Sequence, residues 1–348
     1  MPTLAPAELV TFVEKIFVGA GAPADIANTV AASLVNSDLM GHESHGVVRV
    51  RQYLDGIARG DTDPAGRPQI VHERPTLCLV DAGKGFGQVG ARFAMEQAIG
   101  RARDYGLSAV GLKQCAHVGR LGEWVELGAR ENLVALAFCN GGGRGGAVTP
   151  FWGAERVLGT NPIAAALPNG DGAPIVLDFA TSAVAEGKVR VARNRNKPIP
   201  EGWVINSAGE PTTNPNDLYE GGMLLPAAGH KGYGLSLLAE YLGGVLTGAG
   251  CPCFPAFVAG NGVLFMVIDV EAFRPFTDYQ EDSTELVRRV KAAQPAPGFD
   301  EVLLPGEPEQ RMLAQRTASG LTLDAATWTH LTEAATEFGI AAEIPSAA

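Results

Sequence analysis

The chain has 348 residues with a formal net charge of -11; 46% are hydrophobic and 19% charged, and 44 glycines and 23 prolines are spread along it. This is a globular composition, rich in turns and long enough for two domains with a cleft between them. The acidic balance and the absence of any Lys/Arg cluster exclude a nucleic-acid binder, which needs a basic surface to release phosphate counterions.

The first residues, "MPTLAPAELV", have neither the basic leader nor the apolar core of a signal peptide. No apolar run approaches the roughly 20 residues that span a bilayer, so a cytoplasmic protein without a membrane partner is expected. Residues 8–19 and 24–39 repeat apolar side chains at three- and four-residue spacing, which predicts a helical pair. The polar stretch "GHESHGVVRV" (41–50) follows, and "QYLDGIARG" returns to a helical pattern before the turn-rich "DTDPAGRP". From Thr76 the pattern changes to strand, glycine turn and helix, with strands predicted at 76–82, 107–113, 134–140, 161–168, 174–180 and 262–270. Several are apolar throughout, as strands covered on both faces are. Residues 231–248, "KGYGLSLLAEYLGGVLTG", read as a long helix that is apolar nearly all round and therefore central. Two amphipathic helices close the chain, in "EPEQRMLAQRTASG" and "AATWTHLTEAATEFG". The expected fold class is α/β, with an α/β unit over 76–295 and a discontinuous helical unit from 1–75 plus 296–348.

Four groups of residues carry candidate chemistry. Gly85, Gly87 and Gly90 match the G-x-G-x-x-G spacing of a dinucleotide turn, but the acidic residue required about 20 positions on is missing, because "LSAVGLK" ends in Lys113. A tight turn with helix packing is favoured. His42-Glu43-Ser44-His45 is one residue short of the zinc-protease H-E-x-x-H, so no metal is expected there. His45 and Arg49 are four apart and would share a face of a helix; a guanidinium beside an imidazole suits a carboxylate and a proton, although the residue types alone favour a surface salt-bridge network. His117 follows a predicted strand, where α/β proteins collect ligands, and is either an acid–base group or a structural histidine. The segments 139–146, 158–164, 177–188 and 227–235 place glycines, small hydroxyls or a lysine at strand ends and helix starts, which together suggest an anionic ligand such as a dinucleotide. The five cysteines, Cys78, Cys115, Cys139, Cys251 and Cys253, lie mostly in apolar runs; Cys251-Pro-Cys253 has no second half of a metal site, so a structural loop is favoured.

The motifs "SHGVVRV", "HVGRLG", "GTNPIA", "LDFATS" with "GK", "HKGYGLSL", "PAPGF" and "PGEPEQR" occur in an order that resembles the malate/L-lactate dehydrogenase family, unrelated to the Rossmann-type enzymes of similar name. The resemblance covers nearly the whole chain. It implies a non-Rossmann NAD(P)-binding fold, a homodimer, and NAD as cofactor, with NADP as the alternative. It implies that His117 corresponds to the proton acceptor of the ureidoglycolate branch, and that Ser44 and His45 correspond to a proton-relay pair of the imine-reductase branch. By the same resemblance Arg49 and Thr160 contact substrate. Cofactor contacts fall on His117, Leu121, Gly141, Asp178, Phe179, Ala180, Lys188, His230, Lys231, Pro305, Gly306 and Glu307. Two departures stand out: Lys188 replaces an acidic relay residue of the imine reductases, and Gly141 replaces a cofactor-contacting serine. The overall likeness is greatest to the bacterial hydroxycarboxylate branch. The resemblance therefore implies hydride transfer at C2 of an L-2-hydroxy acid or 2-oxo acid, with cyclic imine reduction and a non-catalytic nucleotide sensor as the competing readings.

Overall fold

The computed structural model describes residues 2–170 and 172–345. Strand β1 (Thr3–Leu4) pairs antiparallel with the distant β12 (Leu321–Thr322) and ties the two ends of the chain together. Helices α1 (Pro6–Gly19) and α2 (Ala24–Leu39) contribute Leu9, Phe12, Ile16, Ile26, Val30 and Leu34 to one core, which α3 (Val50–Ala58) and α10 (Ala325–Glu337) complete. Helix α9 (Glu307–Ser319) lies against α2.

The main sheet contains β2 (Gln69–Glu73), β3 (Leu77–Asp81), β4 (Leu107–Cys115), β5 (Leu133–Gly143), β6 (Ile163–Leu167), β7 (Ile175–Phe179) and β11 (Ala259–Asp269). Among the described residues its order is β2-β3-β4-β11-β5-β6-β7. Only β3 and β4 are parallel, because α4 (Gly87–Tyr105) carries the chain back between them; every other pair is antiparallel. Helix α5 (Leu121–Arg130) lies beside α4 over β5 and β6. Leu112 meets α4 at Gly90, whereas its neighbour Gly111 faces Thr247. Successive strand residues point to opposite faces, so the segment carrying Thr247 covers the other side. That segment is the turn that ends α7 (His230–Ala239) and its π-helical continuation Glu240–Val245.

A third cluster, built from Val148, Leu158, Val184, Val189, Ile199 and Leu218, lies between α6 (Glu186–Asn194) and a small sheet of β8 (Val204–Ile205), β9 (Pro211–Thr212) and β10 (Met223–Leu224). Helix α8 (Phe276–Lys291) buries no residue fully and is held by bonds from Tyr279 and Ser283 to the Pro168 carbonyl.

The α/β class and all six expected strands are present. The two-residue strands are too short for alternation to show in sequence. The expected central helix is instead at the surface, with Leu238, Tyr241, Val245 and Leu246 all exposed. An apolar helix face can be covered by a neighbouring molecule as well as by its own chain, and hydropathy does not distinguish the two.

Candidate active site

Two imidazoles meet where the helical ends of the chain lie against the sheet. His45 and His117 stack with ring centroids 5.4 Å apart and planes 27° apart. The segment that brings His45 there is not the helix that its spacing from Arg49 suggested. Glu43–His45 and Val47–Arg49 are separate 3-10 turns, broken at the extended Gly46. The cause is Asp38, whose Oδ2 accepts the Val47 N–H at 2.9 Å, while a Cβ on Gly46 would overlap the same carboxyl group. Burial pushes the Asp38 carboxyl up to about 7.

His45 and Arg49 nevertheless converge. Arg49 Nε donates to the Ser44 carbonyl at 2.5 Å and Nη1 to Gln52 Oε1 at 2.6 Å. Among the described residues this guanidinium has no carboxylate partner, and burial depresses its pKa. Both rings are held at Nδ1 by a hydroxyl: Ser44 Oγ lies 3.0 Å from His45 Nδ1, and the Tyr53 hydroxyl 2.8 Å from His117 Nδ1. Gln88 Nε2 donates to the Tyr53 oxygen at 2.8 Å and so fixes the phenol behind His117. Burial, reinforced by the Arg49 charge, holds His45 down at about 3. Burial, the neighbouring His45 and Arg49 hold His117 well below the usual range.

His117 owes its place to the glycine pattern at 85–90. A Cβ on Gly87 would overlap the His117 carbonyl oxygen, and one on Gly85 would press on the Gly66 carbonyl, so these glycines serve close packing. His42 Nε2 lies 3.4 Å from a Glu309 carboxylate oxygen.

A cavity of about 480 Å³ lies nearby, lined by Asp178 and Phe179 at the end of β7, Pro305 and Gly306 before α9, and by His42, Arg120 and Glu309. Asp178 Oδ2 accepts the Gly122 N–H at 2.6 Å, next to the buried Leu121 at the start of α5, and burial raises its pKa. Arg120 is 3% exposed; it approaches Glu126 at 3.7 Å, and its Nε and Nη2 have no partner among the described residues. Glu307 accepts the Leu304 N–H at 2.9 Å and pairs with Lys291 at 2.8 Å, bracing the loop that carries Pro305.

Thr160 and Ala180 come together because the Thr160 carbonyl accepts the Thr181 N–H at 2.9 Å. Gly141 lies beside them, since a Cβ on Gly159 would overlap the Gly141 carbonyl. With φ of +125° and the Gly260 carbonyl against it, Gly141 itself has no room for a side chain. The buried Glu240 carboxylate braces this corner by accepting from Asn140 and Asn161, each at 2.8 Å. His230 and Lys231 open α7, where Phe151 meets the His230 ring edge-on at 5.9 Å. Lys188 is exposed on α6, but the first turn of that helix reaches the site: a Cβ on Gly187 would lie 3.4 Å from that of Ser44. The carboxylate of this turn is Glu186, which accepts the Tyr219 hydroxyl at 2.7 Å.

Tyr53, Gln88, Asp38, Arg120 and Glu186 escaped the sequence reading. Only Tyr53 left a signal there, being four residues beyond Arg49 at the start of a helical pattern.

Hydroxyl-held imidazoles beside an uncompensated arginine equip a site for acid–base chemistry on a bound anion, and comparison gives the class: the chain is a dehydrogenase. The malate/L-lactate dehydrogenase family matches residues 4–332, and the chain belongs to that family. It is 35% identical to a malate dehydrogenase of Pyrococcus horikoshii, over 95% of this chain and 94% of that one. It is 38% identical to an L-lactate dehydrogenase of Cupriavidus necator, over 93% and 94%. The solved sulfolactate dehydrogenase of Methanocaldococcus jannaschii superposes with a TM-score of 0.88 at 33% identity, over 97% of this chain and 98% of that one.

Proposed function

We propose that the protein interconverts an L-2-hydroxy acid and its 2-oxo acid with NAD. The observation that carries this reading is the half-buried Arg49, with no carboxylate partner among the described residues, next to two imidazoles whose Nδ1 atoms are already held. Arg49 pairs with the C1 carboxylate and fixes the plane of the reacting carbon. His117 takes the C2 hydroxyl proton during oxidation and returns it to the carbonyl oxygen during reduction, with Tyr53 holding the far side of the ring. His45, oriented by Ser44, assists it. Thr160 borders the substrate.

The residues around the 480 Å³ cavity fit a nicotinamide dinucleotide: Asp178 and Glu309 offer acceptors to sugar hydroxyls, and Arg120 brings a guanidinium with unpartnered nitrogens. When bound, the nicotinamide supplies the hydride donor or acceptor. Asp178, Phe179, Ala180, Pro305 and Gly306 would hold it, with Leu121, Gly141, His230 and Lys231 along the same edge. The carboxylates Asp178, Glu126 and Glu309 in the lining oppose a 2′-phosphate and favour NAD over NADP. The exposed apolar face of α7 and its π-helical continuation supports a homodimer joined through that face.

The reading is tested by NADH and NADPH oxidation with pyruvate, oxaloacetate, 2-oxoglutarate, phenylpyruvate and pyrroline-2-carboxylate. Turnover of 2-oxo acids is expected, and His117→Ala should lower it by about 100- to 10,000-fold. Turnover of the imine alone would replace this reading with cyclic imine reduction, and dinucleotide binding without any turnover would leave a sensor. Loss of activity in His45→Ala with near-normal activity in His117→Ala would exchange the two histidines' roles.

A further inference from the structure

The first turn of α4 lies directly behind His117. Gly87 packs against the His117 carbonyl, and the next residue, Gln88, is 0% exposed and sends its carboxamide to the Tyr53 oxygen. Tyr53 in turn meets His117 Nδ1 at 2.8 Å. Among the described residues, His117 and Gln88 are the only hydrogen-bond partners of the Tyr53 hydroxyl, and the buried Gln88 Oε1 has no partner. The row His117, Tyr53, Gln88 therefore ends in an amide oxygen that nothing uses.

The chemistry of His117 decides how protons are distributed along this row. With Nδ1 occupied by Tyr53, Nε2 is the nitrogen left for the substrate proton. To take that proton, the ring must be neutral with Nε2 bare and its own proton on Nδ1; to return it, the ring is an imidazolium with a proton on each nitrogen. Nδ1 carries a proton in both states, so the Tyr53 oxygen accepts from it. Burial pushes the Tyr53 phenol up to about 12, so it keeps its proton near neutral pH, and that proton must find an acceptor. With the Gln88 amino group facing the phenol, both neighbours would donate to one oxygen, and the phenolic proton would be buried without an acceptor. A half-turn of the carboxamide exchanges its oxygen and nitrogen with little change in shape. It replaces an unpartnered oxygen by an unpartnered N–H group, so burial alone does not choose between the orientations. The Nδ1 proton of His117 chooses the one with oxygen toward Tyr53.

Resting on the reading above in which His117 transfers the proton, we propose that Gln88 is a positioning residue: its carboxamide oxygen takes the Tyr53 proton, which fixes the ring proton of His117 on Nδ1 and keeps Nε2 open toward the substrate. Gln88 acts through Tyr53, without contact to the substrate. The opposite orientation sends the phenolic proton to Nδ1 and leaves the ring proton on Nε2, where a neutral ring cannot act as a base.

The test is histidine NMR of the ligand-free, full-length protein with labelled ring nitrogens, at about pH 7, where the ring is uncharged. Comparison with His117→Gln assigns the signals. A protonated Nδ1 and a bare Nε2 are expected, and a ring proton on Nε2 overturns the proposal. Two variants add kinetics with NADH and oxaloacetate. Gln88→Met removes both ends of the amide at similar volume; it should lower kcat about 10-fold, leave KM within about twofold and move the His117 proton toward Nε2. Gln88→Glu keeps an oxygen for Tyr53 and removes the donor, and should retain most of kcat and the Nδ1–H tautomer. A Gln88→Glu variant that is as slow as Gln88→Met and carries its ring proton on Nε2 overturns the proposal. Absence of turnover with every 2-oxo acid removes the dehydrogenase reading, and the role of Gln88 with it. Turnover by a wild-type protein whose His117 proton lies on Nε2 removes only the role of Gln88.

Discussion

Burial keeps both imidazoles uncharged in the ligand-free protein, because a charged ring would lose its hydration beside a guanidinium it repels. A carboxylate against Arg49 reverses that balance by compensating the arginine and attracting a proton to the nearby rings. Histidine NMR should show neither ring titrating near its ordinary value of about 6.5 in the ligand-free protein, and at least one moving upward when oxamate is bound. Titration of both rings near the ordinary value without ligand would contradict this. Tyr53→Phe keeps the ring and removes only the hydroxyl at His117 Nδ1. Loss of that bond should lower kcat by about 10-fold or more. It should also move the high-pH fall of the reduction rate to lower pH, because the imidazolium loses its acceptor. A merely structural tyrosine would leave the pH profile in place.

At the scale of elements, the chain breaks local rules where it places the site. The 3-10 turns at 43–49 rest on Asp38, whose carboxyl is raised from 3.8 to about 7 when folded. The native state then holds a proton that the unfolded chain has lost between about pH 4 and 7, so this contribution to stability is present below that window and is lost as pH rises through it. Asp38→Asn keeps an oxygen for the Val47 N–H and should flatten the decline in Tm over that range. The two histidines act oppositely: their folded values are depressed, so their contribution is lost as pH falls below about 6.5. A second contrast lies within α4. Gly87→Ala would press a methyl group onto the His117 carbonyl and should cost about 1–3 kcal/mol together with much of the activity. Gly100→Ala in the same helix meets nothing within 4 Å and should stabilise by about 0.5–1 kcal/mol. Thermal melts and kinetics of the two variants check the pair.

For the whole molecule, the exposed stripe of Leu238, Tyr241, Val245 and Leu246 is the largest departure from expectation. Covered by a second copy, it accounts for a helix that is apolar on nearly every side. The double variant Leu238→Arg with Val245→Arg should shift the mass measured by light scattering from dimer to monomer. A wild-type protein that is already monomeric at micromolar concentration would remove the dimer.

The strands, the terminal helices and the candidacy of His45, Arg49 and His117 were legible in the sequence, because periodicity and short motifs are local and survive without a fold. The same locality explains the favoured packing reading of Gly85, Gly87 and Gly90. Tertiary structure alone decided that the glycine-broken turns at 43–49 still bring His45 to Arg49, that Tyr53 and Gln88 stand behind His117, and that Glu307 braces a loop. It also decided that the first turn of α6 brings Gly187 against Ser44. These facts depend on contacts between segments far apart in the chain and on the rotation of helices set by buried residues elsewhere, neither of which leaves a mark at the positions concerned.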